Sequence, residues 1–450
     1  MGRGGFIPRA MGGRGNVHRF VIDVRRANVE RHKIHRFTSV QRQQRLNQQT
    51  LPRTGAIGRY QDLLSAPGVR LMVLAGIIGR VPSTMLELAL PLVVAGRTGS
   101  YVSAGIVTAA YTIAGAALGP VRGRLVDRAG APLVLLATGW GQAIALSGML
   151  VVLALSSNLI WLSALAAIAG ALSPPVGPIM RVLWSRLERP DLREAAFAFE
   201  SITIDILYIV GPMLVALLIA VAPINASLIA AAVLAALGSS LLAVAPGASK
   251  ARPEVRSTHW LGALRSGAVR RILPISFFVS GSFTATDLGI IAFTGAHHAK
   301  AMAGILIAAM SVGSIVGGLY WGSRRQPGTL RQQLTVLLLA LTAGMVLLIF
   351  SGSILLFAIL SAIVGLALAP AITAMYSLMD AVAPRHEMTE SFAWLGTSGN
   401  AGGAVAVAIA GIFVTRMHHT GGFAVAALLV GTGALLCALT APATEPHADF

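Results

Sequence analysis

Charged residues and cysteine are both scarce in this 450-residue chain. Only 12% of the residues are charged, about half the share found in soluble proteins, and Cys437 is the single cysteine. One cysteine excludes an intrachain disulfide framework and argues against thiol redox chemistry. Apolar residues instead make up 55% of the chain and the mean hydropathy is +0.74, which together indicate a membrane protein.

Acidic residues are the scarcer of the two charged classes. There are 17 Asp and Glu residues against 35 Lys and Arg, which gives a net charge of +18. The arginines are spread over short loops between apolar segments, as the positive-inside rule requires, so we exclude nucleic acid as a partner. Arginine greatly outnumbers lysine, and alanine and glycine are abundant, which favours a bacterial source.

Long apolar runs predict twelve transmembrane helices, because a helix needs about 20 apolar residues to cross the hydrocarbon. The runs lie near 70–95, 101–119, 132–155, 159–183, 195–220, 223–245, 271–294, 301–322, 332–351, 354–377, 389–414 and 421–441. Most loop arginines follow even-numbered runs, whereas the odd connections hold only Arg97, Lys300 and Arg416. This asymmetry predicts a multi-pass inner (plasma) membrane protein with both termini in the cytoplasm.

The second and eighth runs share an internal repeat. The stretch "SAGIVTAAYTIAGAALGPVRGR" from Ser103 matches "MAGILIAAMSVGSIVGGLYWGS" from Met302, 199 residues later. The repeat preserves the direction of the chain, so it predicts two six-helix halves related by an axis along the membrane normal. Such duplicated bundles are typical of alternating-access transporters, with the substrate site between the halves near the bilayer midplane.

The connection after the second run carries a glycine-flanked acidic motif. "GRLVDRAGAP" places Gly123, Asp127, Arg128 and Gly130 at the spacing of a loop signature, and here the chain resembles the major facilitator superfamily. The topology rule accounts for arginines but not for an aspartate between glycines. The resemblance implies that Asp127 and Arg128 belong to a cytoplasmic charge–helix network that steadies the outward-open state, and we expect Glu200 to join it. Gly123 would allow tight packing of the loop.

Charged residues inside apolar helices are costly and are functional candidates by default. Arg80 and Glu87 in the first run are seven residues apart, about two turns, and therefore share a helix face. Asp287 in the seventh run precedes Leu288 as Glu87 precedes Leu88. We expect the two acids to lie across the central cavity and to bind a coupling proton or a cationic group. The alternatives are that Arg80 neutralises Glu87, or that Arg80 binds an anionic substrate.

Two further polar residues are expected to line the same cavity. These are Asp205, deep in the fifth run, and Gln142 in the third run. Later in the fifth run, Gly211-Pro212 resembles a fragment of the antiporter signature of exporters in the family, although the flanking glycines are missing. This fragment favours export.

Motifs of enzymes and ATP-driven pumps are missing from the sequence. It contains no Gly-x-x-x-x-Gly-Lys-[Ser/Thr] loop, no zinc motif and no nucleophile signature. His297 and His298 are a pair without a third ligand, so we expect no metal site. The sequence therefore predicts a protein without a cofactor that is not an enzyme.

The domain organisation follows from the apolar runs. We predict a basic, disordered extension over 1–57, six-helix bundles over 58–246 and 271–441, a cytoplasmic central loop over 247–270 and a cytoplasmic tail over 442–450. A chain start near residue 58 is the alternative to the extension.

The function predicted from the sequence is secondary active transport by an all-α protein. We expect proton-coupled efflux of a small organic solute by alternating access, with the lipid bilayer, the solute and protons as partners and no obligatory protein partner. The alternatives are an uptake symporter or facilitator and, from a different class, a sensor that keeps the transporter fold without transporting.

Overall fold

The computed structural model describes residues 56–155, 158–187, 189–245, 247, 262–299, 302–324 and 326–440. The predicted C-terminal tail, almost all of the N-terminal extension and most of the central loop lie outside the described residues. The domain boundaries therefore stay predictions.

The described chain is all helical, and we number its membrane-length helices α1 to α12. The helices of the first half are α1 (Val69–Thr98), α2 (Tyr101–Ala129), α3 (Ala131–Leu155), α4 (Leu159–Ser185), α5 (Pro190–Val221) and α6 (Ala226–Val244). Those of the second half are α7 (Gly267–Ala296), α8 (Ala303–Gly322), α9 (Leu330–Ile349), α10 (Ile354–Val382), and α11 and α12, which form Met388–Leu439.

Eleven helical segments are long and apolar enough to cross a membrane. The last of them contains a non-helical residue, His418, where α11 (388–417) meets α12 (419–439). The predicted fold class, an all-helical polytopic protein with twelve helices, is confirmed. A short helix, Ala56–Ser65, precedes α1 and was missed by the sequence analysis because it is too short and too polar to resemble a span.

Helix ends coincide with residues that satisfy free backbone groups. Ser100, Ser266 and Ser353 each accept a hydrogen bond from a backbone N–H in the first turn of the helix that follows. Thr329 and Gln332 form a reciprocal capping box at the start of α9. These caps fix where the short connections turn the chain back into the next helix.

Both halves use the same close approach between equivalent helices. Gly170 of α4 lies against the backbone carbonyl of Tyr111 in α2, and Gly365 of α10 lies against the carbonyl of Met310 in α8. A Cβ atom on either glycine would overlap that carbonyl, so the approach requires glycine. Tyr111 and Met310 are 199 residues apart, which is the spacing of the sequence repeat. The repeat therefore has a structural counterpart.

The two halves meet along α2 with α11 and along α5 with α8 and α10. We call the membrane side where α2 ends and where α5, α7 and α11 begin the basic side, because most loop arginines lie there. It is the predicted cytoplasmic side. Leucine, isoleucine and valine side chains remain exposed on the outer faces of the helices, as a lipid-facing surface requires.

Candidate functional site

The halves are closed against each other on the basic side by Asp127. Its carboxylate accepts hydrogen bonds from the backbone N–H groups of Thr389 (3.2 Å) and Glu390 (2.9 Å), in the first turn of α11. The residue at the cap position of α11, Glu387, makes no side-chain capping bond, so Asp127 caps this helix from the other half of the protein. A buried negative charge also complements the positive end of the helix dipole.

A salt bridge lies beside this cap. Arg124 of α2 holds Glu390 of α11 through two hydrogen bonds, of 2.6 Å from Nη2 and 3.0 Å from Nε. The Glu390 side chain is 2% exposed, so this bidentate pair is shielded from water on one side. Arg124 lies within the signature stretch, but the sequence analysis did not single it out.

Glycines of the signature make the closure possible. A Cβ atom on Gly123 would lie 2.8 Å from the Cβ of Ala393 and 2.9 Å from the Cα of Glu390. Gly130 ends α2 with a φ of 93°, a conformation that favours glycine. The predicted contact of Arg128 is wrong: its side chain is exposed and bonds to none of the described residues.

The short helix Ala56–Ser65 adds a second connection on the basic side. The Tyr60 hydroxyl donates to the carbonyl of Gly318 in α8 (3.0 Å), and Asp62 lies 3.9 Å from Arg189 beside α5. Burial raises the pKa of Tyr60 above its usual range, so the hydroxyl keeps the proton that it donates. This helix therefore contacts both halves.

A cavity of about 350 Å³ lies between the halves, further into the membrane than the closed basic side. Its walls come from α1, α3, α4 and α5 of the first half and from α7, α10 and α11 of the second. The polar side chains that line it are Arg80, Ser83, Thr84, Gln142, Ser173, Arg181, Tyr208, Ser276, Ser280, Tyr376 and Asn400. The volume is within the range of small-molecule sites.

Three charged side chains meet at one wall of this cavity. Arg80 of α1 donates from Nη2 to Glu200 Oε1 at 2.5 Å, and Arg181 Nε lies 3.7 Å from the same oxygen. The Trp184 indole donates to Glu200 Oε2 at 3.0 Å. Arg181 also donates to the hydroxyl of Tyr376 at 2.8 Å and thereby crosses to the second half.

The predicted surroundings of Glu200 are therefore wrong. Glu200 is 1% exposed and contacts Arg80, Arg181 and Trp184 rather than Asp127 or Arg128. The alternative that Arg80 neutralises Glu87 does not hold either, since Arg80 pairs with Glu200. Seven residues separate these two side chains by about 10 Å along the helix axis, and Glu200 on α5 lies closer to Arg80.

Glu87 and Asp287 lie on facing helices of the two halves. Both side chains are exposed, and neither makes a hydrogen bond or an ion pair with the described residues. Both carboxylates are nevertheless within electrostatic range of the Tyr208 hydroxyl, which is itself on an exposed side chain of α5. Tyr208 lines the cavity but neither acid does, so the expected position of Glu87 and Asp287 across the cavity stays a prediction.

The other two predicted cavity residues have different surroundings. Gln142 lines the cavity, is 1% exposed and donates to the carbonyl of Ala169 at 3.2 Å. Asp205 is outside the cavity lining and accepts a hydrogen bond of 2.6 Å from Ser314 in α8. The expectation for Asp205 is therefore wrong, because its depth in α5 placed it near the cavity but its face of the helix packs against α8.

Arg181, Tyr208 and Tyr376 also line the cavity and were not predicted from the sequence. Arg181 was counted among the loop arginines that set topology, although the "SPPVGP" break indicates that α4 restarts nearby and carries it into the membrane. The two tyrosines lie in apolar runs and gave no separate signal.

Comparisons with known proteins agree with this architecture. A family model for the Major Facilitator Superfamily matches residues 72–324 and 272–449. No relative among curated protein sequences matches the chain. The crystal structure of the human organic anion transporter MFSD10 (TETRAN) is 14% identical with a TM-score of 0.68 and covers 83% of this chain and 100% of its own.

A second solved structure gives a similar result. The crystal structure of a bacterial homologue of the iron transporter ferroportin, in an outward-facing state, is 13% identical with a TM-score of 0.70 and covers 82% of this chain and 98% of its own. At these identities the likeness concerns the fold. With the family model spanning most of the chain and the two-bundle architecture described above, this protein belongs to the Major Facilitator Superfamily of secondary transporters.

Proposed function

We propose that this transporter couples the export of a small organic solute to the inward movement of protons, with Glu87 and Asp287 as the proton-binding residues. The observation that carries the proposal is that both acids lie within membrane helices, are exposed, are within electrostatic range of the cavity residue Tyr208 and make no hydrogen bond or ion pair with the described residues. Carboxylates that only stabilised the fold would be paired, because an unpaired charge in a membrane helix is costly.

Alternating access gives these two acids a reason to exchange protons. In this proposal, water reaches these exposed acids from the opposite side while Asp127 and Arg124 close the basic side. Closing the opposite side removes water from the carboxylates, and desolvation favours the protonated form of such a group. Opening the basic side would rehydrate them and release the proton there.

The fifth helix supports export as the direction. Gly211 packs directly against Thr84 of α1, between the levels of Arg80 and Glu87. The Gly211-Pro212 pair is the fragment that resembles the antiporter signature of exporters in the family. Its glycine brings α5, which carries Glu200 and Tyr208, into contact with the helix that carries a proposed proton site.

The test is proton flux in proteoliposomes with an imposed pH gradient. A panel of cationic, neutral and anionic compounds is screened for gradient dissipation by the wild type, Glu87→Gln, Asp287→Asn and the double variant. We expect compound-dependent flux in the wild type and its loss in at least one single variant. Exchange of the same labelled compound without a gradient is the control, and it should persist in the variant that loses flux.

Two results would contradict the proposal. Equal compound-dependent flux in the wild type and the double variant would assign coupling to other groups. Exchange of labelled compound by the wild type without any proton flux would make the protein a facilitator.

A further inference from the structure

The charged cluster at the cavity wall has more cationic than anionic groups. Arg80 and Arg181 converge on one carboxylate, that of Glu200. Their side chains are 9% and 12% exposed, so bulk water does not solvate them fully. With all three groups ionised, the cluster carries one positive charge in excess. A buried charge of this kind is costly unless a counterion is bound.

The hydrogen bonds show the same excess of cationic groups over the single anionic group. Both carboxylate oxygens of Glu200 already accept a hydrogen bond, one from Arg80 and the other from the Trp184 indole. Each guanidinium has five N–H donors, but Arg80 uses one for Glu200 and Arg181 uses one for Tyr376. The Nε atoms of Arg80 and Arg181 are buried and lack a hydrogen-bond partner. Both arginines line the cavity.

The rest of the cavity suits the apolar part of a ligand. Ile204 and Leu207 line it from α5, and Val279 and Phe283 line it from α7. Met375 of α10 adds an adaptable surface. The acids Glu87 and Asp287 are absent from the lining, so they do not compete for the arginines.

We infer that this cavity binds a small organic carboxylate, with its anionic end between Arg80 and Arg181 and its apolar body against α5 and α7. This inference rests on the proposed function only in taking the central cavity as the solute site. The planar fork of a guanidinium matches a carboxylate, which would use the vacant donors and neutralise the cluster. The inferred substrate class is therefore an organic anion with an aromatic or branched body.

Equilibrium binding in detergent at fixed pH tests this without requiring transport. The probes are naphthoate, naphthamide and naphthylmethylamine, which share one ring system and differ in charge. We expect the wild type to bind naphthoate at least about tenfold more tightly than the other two, because only the carboxylate carries a negative charge to pair with the guanidinium groups.

Arg181 is the residue to change, because removing Arg80 would leave Glu200 buried without its closest partner. Arg181→Gln should abolish the preference for naphthoate over naphthamide. Arg181→Lys keeps the positive charge but lacks the planar guanidinium group, so this variant should retain part of the preference for naphthoate. Arg416→Gln, an exposed arginine on the opposite side of the membrane, is the matched control and should leave the preference unchanged.

Several results of these binding measurements would overturn the inference. Wild-type protein that binds naphthoate no more tightly than naphthamide would overturn it, as would Arg181→Gln protein that keeps the full preference. If Arg181→Gln does not fold, the partial loss expected for Arg181→Lys serves as the test, and an unchanged preference in that variant would overturn the inference. Proton coupling can fail in liposomes while this preference holds, so the two proposals are tested separately.

Discussion

At the scale of single residues, Gly123 controls how closely the halves approach on the basic side. In Gly123→Ala the new methyl group would overlap the Cβ of Ala393 and the backbone of Glu390. Overpacking of this kind costs about 1–3 kcal/mol, which would shift the equilibrium away from the closed basic side by roughly fivefold to a hundredfold. Spin labels on Arg128 and Arg270, in a Cys437→Ala background, should report longer distances between the halves.

Gly105→Ala is the matched control for this substitution. Gly105 lies on the same helix, but a Cβ atom there has no neighbour within 4 Å. The label distances should stay at their wild-type values in that variant. Equal distances in Gly123→Ala and the wild type would show that the α2–α11 contact does not determine the closed state.

The residue scale is also where prediction from the sequence reached its limit. The signature predicted the importance of Asp127, because its spacing between glycines is specific. The pairing of Arg80 with Glu200 was not predictable, since the two residues are 120 positions apart and their contact depends on how α1 and α5 are rotated against each other. Spacing within one helix instead suggested Glu87, which is exposed and makes no bond with the described residues.

At the scale of elements, the break in α4 depends on an arginine from α2. The Arg122 guanidinium donates to the carbonyls of Gly170 and Ala171, at the end of the first helical segment of α4, and to that of Gly115. In the "SPPVGP" stretch, Ser173 to Pro178, the Ser173 N–H still donates to the carbonyl of Gly170 at 3.1 Å, but Pro175 lacks the N–H that would bond the carbonyl of Ala171 in a continuous helix. Arg122 therefore replaces the missing helical hydrogen bond at Ala171 and adds a second donor at Gly170.

Arg122→Gln should lower the stability of the protein by about 2–4 kcal/mol, because several buried carbonyls lose a charged donor. The measurement is the thermal unfolding midpoint in detergent. Arg128→Gln, at an exposed arginine six residues along the same helix, should change stability by no more than about 0.5 kcal/mol. Similar midpoints for the two variants would mean that water or neighbouring residues replace Arg122 without cost.

The transmembrane helices were predicted more completely from the sequence than the side-chain contacts were. A helix in lipid must be long and apolar, so the runs in the sequence identified the spans and the repeat identified the halves. The helix Ala56–Ser65 escaped prediction because its role depends on a tertiary contact, the bond from Tyr60 to Gly318, and not on its own hydropathy. The same holds for Arg122, whose partners lie on another helix.

At the scale of the whole molecule, the described contacts give one closed side and one accessible space. Asp127 and Arg124 join α2 to α11, and Tyr60 adds a contact to α8, all on the basic side. Asp205 of α5 and Ser314 of α8 add a hydrogen bond between the halves. Transport by alternating access requires these contacts to break together, because each of them ties one half to the other.

A reversible covalent connection between the halves would test that requirement. A Cβ atom on Gly119 would lie 2.9 Å from the side-chain oxygen of Thr397, so cysteines at these two positions are placed to form a disulfide between α2 and α11. Oxidised Gly119→Cys/Thr397→Cys protein should bind solute from the opposite side but stop exchanging it across liposomes, and reduction should restore exchange. Oxidant should not change the exchange rate of either single variant. If the double variant with its disulfide fully formed exchanged solute at the wild-type rate, the α2–α11 contact would not need to open for transport.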